Sequence, residues 1–436
     1  MRARTALAAL LSLTVLLPLA GVPARAEQVT ELDAAGKLKA KYSLDESGLR
    51  HGGYAEFHTD GSIKVKATYR RGKLHGRYVS YHPGGRPHVA ADYDEGGRDG
   101  KYVEKDEKGR VVVEATYVKG RLHGAYEEFR EGEPVTRQRW ADGVPLDVDG
   151  VKPYPKSREE IRATIEEIFN STDPLESAAG DPEAWGRGEC LRQLKIYRYL
   201  CDVPWRELQL DAEMNRLADA GAALCERIGR LDHTPENPGL PEDEYKTGYR
   251  GTSNSNLYQG QEDIVPQVRG YMDDSDARNI DRVGHRRWCL NPPLQKTGFG
   301  RSGRFGAMWS MDRSNAKAPD YELVAFPPPG WMPDYYFAEH YAWSVSLHRQ
   351  KFKKPDPAAV KVTVTPLGDD HVRRDPPLPL NHLKVDTDGP GIPYCVIFRP
   401  TCVRVEPGAR YWVEITGLET RDGPAAVRYV VAFFEL

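Results

Sequence analysis

A repeat of 24 residues between positions 48 and 148 restricts the fold of this 436-residue sequence more than any other feature. One unit contains an alternating stretch from Gly52, a turn at Asp60-Gly61 and a second alternating stretch that ends at Tyr69, which predicts two short strands. Such a unit cannot bury its aromatic face alone, so neighbouring units are expected to stack. The recurring positions are Gly52, Gly76, Gly100 and Gly124; Tyr54, Tyr78, Tyr102 and Tyr126; Gly61, Gly85 and Gly109; Tyr69, Tyr93 and Tyr117; and Gly72, Gly96 and Gly120.

The repeat pattern G-x-Y-x-x-[FY], preceded by Leu74-His75 and Leu122-His123, resembles MORN-type repeats. The resemblance implies an extended single-layer β-sheet over residues 48–148 that acts as a scaffold or docks a protein partner. His51, His75 and His123 would be metal ligands if adjacent repeats placed them in a ladder. The alternative is that these histidines are polar residues beside turns.

The start of the chain has the features of a signal peptide. A basic beginning, an apolar run over residues 6–19 and the small-x-small sequence at 24–26 predict that residues 1–26 are removed on export. A membrane anchor is a weaker alternative, because the run contains Pro18 and is shorter than the ~20 residues of a spanning helix. The protein is expected to be secreted or periplasmic, without a transmembrane anchor after cleavage, and residues 27–47 form an N-terminal segment.

The charge pattern argues against a nucleic-acid partner. Lys and Arg number 61 and Asp and Glu number 64, which gives a formal net charge of −3. Binding to DNA or RNA requires a basic stripe that displaces counterions, whereas the basic residues here are interspersed with acids.

Six cysteines all follow residue 189. In an exported chain an even number permits up to three disulfides, and the sequence cannot choose among the connectivities. Cys395 and Cys402 could bridge across a tight hairpin. Free buried thiols are the alternative.

The segment after the repeats changes to helical periodicity. Residues 149–185 are interpreted as a helix and a linker, with Ser157 and Glu160 at the spacing of a capping box. Asp211 is expected to cap a stronger helix, because apolar residues follow it at three- and four-residue steps.

Four segments of the middle third occur in a recognisable order. The run YLCDVPWRELQLDAEMNRLADA at 199–220 precedes LDHTP at 231–235, SNLYQG at 255–260, and GHRR at 284–287 with GFG at 298–300. This combination resembles the CAP superfamily of cysteine-rich secretory, antigen 5 and pathogenesis-related proteins, in its bacterial SCP-like form. The resemblance covers residues 186–312 and implies an α-β-α sandwich with a central cleft.

The resemblance also implies a site. The family cleft presents two histidines and two acids, and His233 and His285 match the histidines. Ser255 stands where the family has Glu before Asn-Leu, Asn256 follows it, and Asp274 is the candidate second acid. Two imidazoles and one carboxylate can hold Zn²⁺, so weak zinc binding through His233 and His285 is expected. The loss of the Glu weakens that expectation.

Each of these residues also has a purely structural interpretation. The two histidines could hold the fold together through polar contacts, and Asn254 and Asn256 could stabilise turns. Arg286 and Arg287 could attract an anionic ligand, or one of them could pair with an acid inside the fold.

The last third alternates apolar and polar residues. Residues 313–334 are rich in proline and predict a stiff connector, and residues 335–436 predict an immunoglobulin-like antiparallel β-sandwich. The whole chain is therefore expected to be a multidomain α+β protein. Its parts are an N-terminal single-layer β-repeat array, a central α-β-α sandwich and a C-terminal antiparallel β-sandwich.

These features favour a non-enzymatic binding protein that acts outside the cell or at the cell envelope. No GxSxG or HExxH signature is present, and the ligand could be a lipid, a peptide or an envelope polymer. The rival is a peptidase-like hydrolase that uses the cleft, with or without a metal. In that case Ser255 would be the nucleophile and Asp274 would orient an imidazole.

Overall fold

The computed structural model describes residues 27–177, 181, 183–315, 319–389 and 391–436. The predicted signal peptide, residues 1–26, lies outside the described residues. The chain divides into two compact units, one extending to Val144 and the other running from Pro145 to Leu436. Strands outnumber helices, so the described structure is mixed and mostly β, which is compatible with a multidomain α+β protein. None of the described helices is long and apolar enough to cross a membrane.

The N-terminal segment and the repeats together form one antiparallel sheet of 12 strands. The strands pair in the order of the chain, except that β5 pairs only with β4. Each repeat contributes two strands joined by a turn, as predicted from the alternating stretches. The strands are β1 (Glu27–Leu32), β2 (Leu38–Leu44), β3 (Arg50–Phe57), β4 (Ile63–Arg70), β5 (Lys73–Leu74), β6 (Gly76–Tyr81), β7 (Pro87–Asp94), β8 (Gly97–Lys105), β9 (Val111–Val118), β10 (Arg121–Arg130), β11 (Glu133–Ala141) and β12 (Val144–Val148).

The repeated turn glycines are required by the backbone. Gly96 has φ of 91° after Glu95 at 45°, so both central residues of the turn between β7 and β8 are left-handed. Hairpins favour such turns because their twist matches that of the strands. The N–H of Gly96 also donates to the carbonyl of Leu74 in the preceding repeat, 2.9 Å away. The same link recurs from Gly72 to Arg50, from Gly120 to Arg98 and from Gly143 to Leu122.

The repeated tyrosines pack in pairs. Tyr102 and Tyr117 have ring centroids 6.0 Å apart in an edge-to-face arrangement. Aromatic pairs prefer this geometry to face-to-face stacking. The guanidinium of Arg98 lies 4.5 Å from the Tyr102 centroid. Equivalent pairs join Tyr54 to Tyr69 at 5.5 Å and Tyr78 to Tyr93 at 5.7 Å. The aromatic period of the sequence thus maintains contacts within each hairpin.

Helices open the second unit, and two of them start where the sequence predicts. Ser157 accepts a hydrogen bond from the N–H of Glu160 at 3.0 Å, and Asp211 accepts from the N–H groups of Glu213 and Met214. Such caps satisfy N–H groups that have no partner within the helix. The helices are α1 (Arg158–Phe169), α2 (Ala184–Leu200), α3 (Ala212–Ile228), α4 (Glu242–Ser253), α5 (Gln267–Asp273) and α6 (Gly284–Cys289).

Short strands lie among these helices. β14 (Ser255–Gln259), β17 (Phe305–Trp309) and β16 (Phe299–Ser302) form an antiparallel sheet in that order, and β13 (Gln209–Leu210) pairs in parallel with β15 (Lys296–Thr297). Helix α3 packs on β16 and β17. Gly298 and Gly300 allow this approach, because a Cβ at either position would overlap the α3 backbone.

Two four-stranded sheets complete the second unit. Their strand orders are β18-β20-β23-β22 and β19-β25-β24-β21. The rings of Trp343 and Tyr411, one from each sheet, lie 5.9 Å apart in the shared core. The strands are β18 (Leu323–Phe326), β19 (Gly330–Pro333), β20 (Trp343–Leu347), β21 (Lys361–Leu367), β22 (Leu380–Asp386), β23 (Cys395–Pro400), β24 (Arg410–Thr420) and β25 (Gly423–Phe434).

Two details of this region differ from the sequence expectation. Residues 313–334 are more than a connector, because they contribute β18 and β19 on either side of the proline run. The sandwich is not wholly antiparallel, because β19 pairs in parallel with β25. Extended backbone beside prolines can therefore still join a sheet at its edge.

All six cysteines are free, so the possible Cys395–Cys402 bridge is not formed. Cys395 is buried in β23 whereas Cys402 is exposed. Buried thiols act as small apolar groups, and burial raises the pKa of Cys201 to about 12. The alternative of buried free thiols is correct for five of the six.

Arg286 and Arg287 attach α6 to the β-sandwich. Arg286 is fully buried and donates to the carbonyl of Ala342 at 2.7 Å. Arg287 donates to the carbonyl of Ile392 at 2.7 Å and pairs with Asp386 at 2.6 Å. Both guanidinium groups are therefore structural, and neither presents a free charge to an anionic ligand.

Candidate functional site

The residues of the predicted site come from four places in the second unit. His233 lies in the loop after α3, and Ser255 and Asn256 begin β14. Asp274 follows α5 directly, and His285 is in the first turn of α6. The structure links some of these residues by hydrogen bonds and leaves others apart.

Asp274 and His285 form a tight pair. The Asp274 carboxylate lies 2.8 Å from Nδ1 of His285, and its other oxygen accepts from the backbone N–H of His285 at 2.9 Å and of Arg286 at 3.3 Å. The carboxyl side chain is 1% exposed and the imidazole 22%. Because an ionised carboxylate only accepts, Nδ1 carries the proton and Nε2 is the acceptor of the neutral ring.

Backbone strain accompanies this pair. Asp274 has φ of 47° and Val283, which caps α6, has φ of 40°. A left-handed β-branched residue such as Val283 is a rare outlier, and strained residues of this kind cluster at functional sites. In this conformation Asp274 accepts hydrogen bonds from N–H groups at the start of α6.

Asn256 also holds helix α6, through the backbone of His285. Its side chain is buried and donates from Nδ2 to the carbonyl of His285 at 3.0 Å. Tyr271 donates its hydroxyl to the Asn256 carbonyl at 3.1 Å, and its ring lies 5.7 Å from that of His285. Asn256 thus links β14 to α6, whereas Asn254 bonds the carbonyl of Arg250 at the end of α4.

His233 is held separately. Its Nδ1 lies 2.9 Å from the carbonyl of Thr252, and the Thr252 hydroxyl donates to the His233 carbonyl at 3.2 Å. Thr252 is fully buried at the end of α4, while His233 is exposed. The ring is therefore oriented through Nδ1, as the ring of His285 is.

Ser255 is 3% exposed, and its Oγ has no hydrogen-bond partner in the described part of the chain. A buried hydroxyl without a partner is costly. It is not hydrogen-bonded to either histidine, so the structure contains no serine–imidazole pair at this position.

The described residues contain one group of three candidate metal ligands whose atoms all lie within 4.8 Å of one another, and it is His75, Asp94 and Glu95. His233, His285 and Asp274 do not form such a group. In the repeat group, Glu95 already faces Arg70 at 3.4 Å and Lys73 at 3.8 Å, which compete with a cation.

The repeat histidines each face a separate carboxylate. The separations are 4.0 Å for His51 and Asp45, 3.0 Å for His75 and Asp94, and 3.5 Å for His123 and Asp142. This arrangement matches the interpretation of polar residues beside turns.

A second histidine–carboxylate pair lies beside Asp274 and was missed from the sequence. Nε2 of His340 lies 3.1 Å from the carboxylate of Asp273. Two residues after Asp273, the Ser275 hydroxyl oxygen accepts a hydrogen bond from the N–H of Ala342 at 2.8 Å. In the sequence, only the consecutive acids Asp273 and Asp274 could have indicated a second histidine–carboxylate pair here. Nothing in the sequence around His340 indicated the contact.

Comparison with known proteins gives no functional assignment. No family model matches the chain, and no curated protein matches it. A solved structure described as a GtfA/B complex bound to UDP and GlcNAc aligns with a TM-score of 0.12 and 12% identity. The alignment covers 35% of this chain and 28% of that chain, and a similarity this low carries no argument.

Proposed function

We propose that this chain is an exported, non-enzymatic binding protein whose ligand contacts the cleft histidines His233 and His285, with the buried residues Ser255, Asn256 and Asp274 supporting the site. The Asp274–His285 pair is the observation that carries the proposal. Both Asp274 oxygens are used to hold the ring and backbone of His285. The pair therefore holds the imidazole of His285 in one orientation, in which it can contact a ligand.

The hydrolase alternative has less support. A nucleophilic serine needs a base within hydrogen-bond reach, although such bonds are often loose without substrate. The Ser255 Oγ is buried and has no hydrogen-bond partner among the described residues. The buried thiols are also poor nucleophiles, because burial raises their pKa.

The fold assignments from the sequence remain part of this proposal. The sequential hairpin sheet is compatible with MORN-like repeats, and helices on β14, β16 and β17 are compatible with a CAP-like domain. The strand orders of the two C-terminal sheets are compatible with an immunoglobulin-like sandwich, whose sheets hold strands ABED and CFG. Export is proposed from the signal-peptide pattern.

The ligand class is a lipid, a peptide or an envelope polymer, and the repeats would dock a protein partner. Weak Zn²⁺ binding by His233 and His285 is a further part of the proposal. Metal-binding histidines usually anchor the nitrogen that does not bind the metal, and both rings are anchored through Nδ1. Asp274 would orient His285 and would not be a ligand.

The test uses the full chain and its His285→Gln variant, with His123→Gln as the matched control in the repeats. The probes are phosphatidylcholine–phosphatidylglycerol vesicles, peptidoglycan fragments and a peptide library. We expect one probe class to bind, the His285→Gln variant to bind it about tenfold more weakly, and the control to bind as wild type. Equal binding by all three proteins would place the ligand elsewhere, and hydrolysis of any probe by the wild type would contradict a non-enzymatic role.

A further inference from the structure

One face of the repeat sheet carries a row of equivalent residues. The register places Val65 opposite both Glu56 and Ser80, and Val89 opposite Glu104. Glu56, Ser80 and Glu104 thus occupy the same position in successive repeats, and the fourth repeat has Glu128 there.

Two of the three carboxylates on this row, Glu56 and Glu104, bond the repeat tyrosines. Tyr102 donates its hydroxyl to Glu104 at 2.7 Å, and Tyr54 donates to Glu56 at 3.4 Å. In the second repeat the corresponding residue is Ser80, which is shorter and uncharged. Its Oγ accepts from the N–H of Val89 at 3.2 Å, so it remains close to the sheet.

The shortened side chain coincides with a cavity. A space of 450 Å³ opens on the sheet at Ser80, with Tyr78 and Tyr93 among the residues that line it. This volume is within the range of small-molecule sites. The two rings lie 5.7 Å apart at an interplanar angle of 62°, so the cavity has an aromatic wall.

His58 and His82 are also among the residues that line this cavity. Nε2 of His58 lies 3.1 Å from the carbonyl of Tyr81, and Nε2 of His82 lies 2.9 Å from the carbonyl of Lys105. A carbonyl only accepts, so each Nε2 carries the hydrogen and each Nδ1 of the neutral ring is an acceptor. Together with the Ser80 and tyrosine hydroxyls, the cavity offers donors and acceptors in the same small space.

Both cations at the cavity already contact other side chains. Lys64 pairs with Glu56 at 2.7 Å. Arg98 lies over the ring of Tyr102 and donates to the Tyr117 hydroxyl at 3.1 Å. Lys64 is neutralised by Glu56 and Arg98 already packs on Tyr102 and Tyr117, which favours an uncharged ligand.

We propose that this cavity binds a neutral, hydroxyl-rich ring, such as one sugar unit of a glycan. Hydroxyl groups both donate and accept, which suits the mixed polar lining, and the apolar face of such a ring packs on the tyrosines. The proposal concerns the first unit alone and does not depend on the proposed cleft function.

The Ser80→Glu variant tests the site by restoring the residue of the other repeats. The longer side chain should occupy the part of the cavity beside Tyr78 and accept a hydrogen bond from its hydroxyl, as Glu104 does from Tyr102, so the fold should be retained. Titration calorimetry of the full chain with tetrasaccharides of glucose and of N-acetylglucosamine should show binding to at least one, weakened about tenfold or more in Ser80→Glu. The exposed Ser47→Glu control should bind as wild type.

Two results would overturn the proposal. One is the absence of binding to both tetrasaccharides by the wild type, and the other is unchanged binding by Ser80→Glu with an unaltered circular dichroism spectrum. The His285→Gln variant should bind the tetrasaccharide normally, which separates this site from the cleft. A preference for a sulfated tetrasaccharide over the neutral ones would also contradict it.

Discussion

At the scale of single residues, several polar side chains are held by contacts that no local sequence pattern predicts. Tyr154 donates its hydroxyl to Nε2 of His371 at 2.5 Å, across 217 residues. His371 is 4% exposed and left-handed, with φ of 59°. Burial first, and then the nearby charge of Arg410, lower the pKa of His371 to about 4.

Because the pKa of His371 is lowered in the folded state, we expect the free energy of unfolding to fall in acid. The unfolded state takes up a proton near the ordinary pKa of ~6.5 while the folded state does not, so the stabilisation is complete above that pH and declines toward pH 4. The decline from this group is on the order of 3 kcal/mol. Urea unfolding of the second unit at pH 7 and pH 4 measures it. The His371→Gln variant should lose less stability between those values than His123→Gln, and equal losses would contradict the argument.

At the scale of elements, close packing is decided by a few glycines. Gly300 lies on β16 where the strand meets α3, and an added Cβ would overlap backbone atoms of Ala218 and Asp219. Backbone atoms cannot move aside as a flexible side chain can. The Gly-Phe-Gly segment is thus explained by contact between a helix and a strand.

We expect Gly300→Ala to destabilise the second unit by about 1–3 kcal/mol through overpacking. Chemical denaturation followed by far-ultraviolet circular dichroism gives the change in the free energy of unfolding. The control is Gly53→Ala, where a Cβ meets nothing within 4 Å. A Gly300→Ala protein as stable as the control would show that β16 and α3 can separate without cost.

The elements that the sequence predicts well depend on neighbouring residues. The starts of α1 and α3 follow from Ser157 and Asp211, because a cap and its first turn are adjacent in the chain. The contact of His340 with Asp273 joins residues 67 apart, and no local signal predicts it. Prolines suggested a connector at 313–334, but the strands on either side of them pair with distant partners.

At the scale of the whole molecule, no disulfide contributes to the described structure. Five cysteines are buried and free, and Cys402 is exposed and free. The fold therefore rests on packing and hydrogen bonds. Buried ionised groups take part in these bonds. The guanidinium of Arg198 donates to the backbone carbonyls of residues 204, 289, 291, 292 and 294.

Reduction should accordingly leave the melting temperature unchanged. A chromogenic disulfide reagent should modify about one thiol in the folded protein, that of Cys402, and all six after denaturation. Removal of the exposed thiol in Cys402→Ser should abolish the fast reaction, whereas Cys225→Ser should not. A fall in melting temperature on reduction would show that a disulfide forms.

The pairing of strands in chain order has a consequence for how the gene can change. Each repeat bonds to the repeats before and after it, and the link from a turn glycine to the preceding repeat recurs from copy to copy. After an in-frame duplication or deletion of one whole repeat, the repeats that become neighbours would therefore form the same strand pairing and the same turn-glycine hydrogen bond. Length can evolve in steps of one hairpin, and a substitution such as the one at Ser80 can specialise a single copy while the others preserve the sheet.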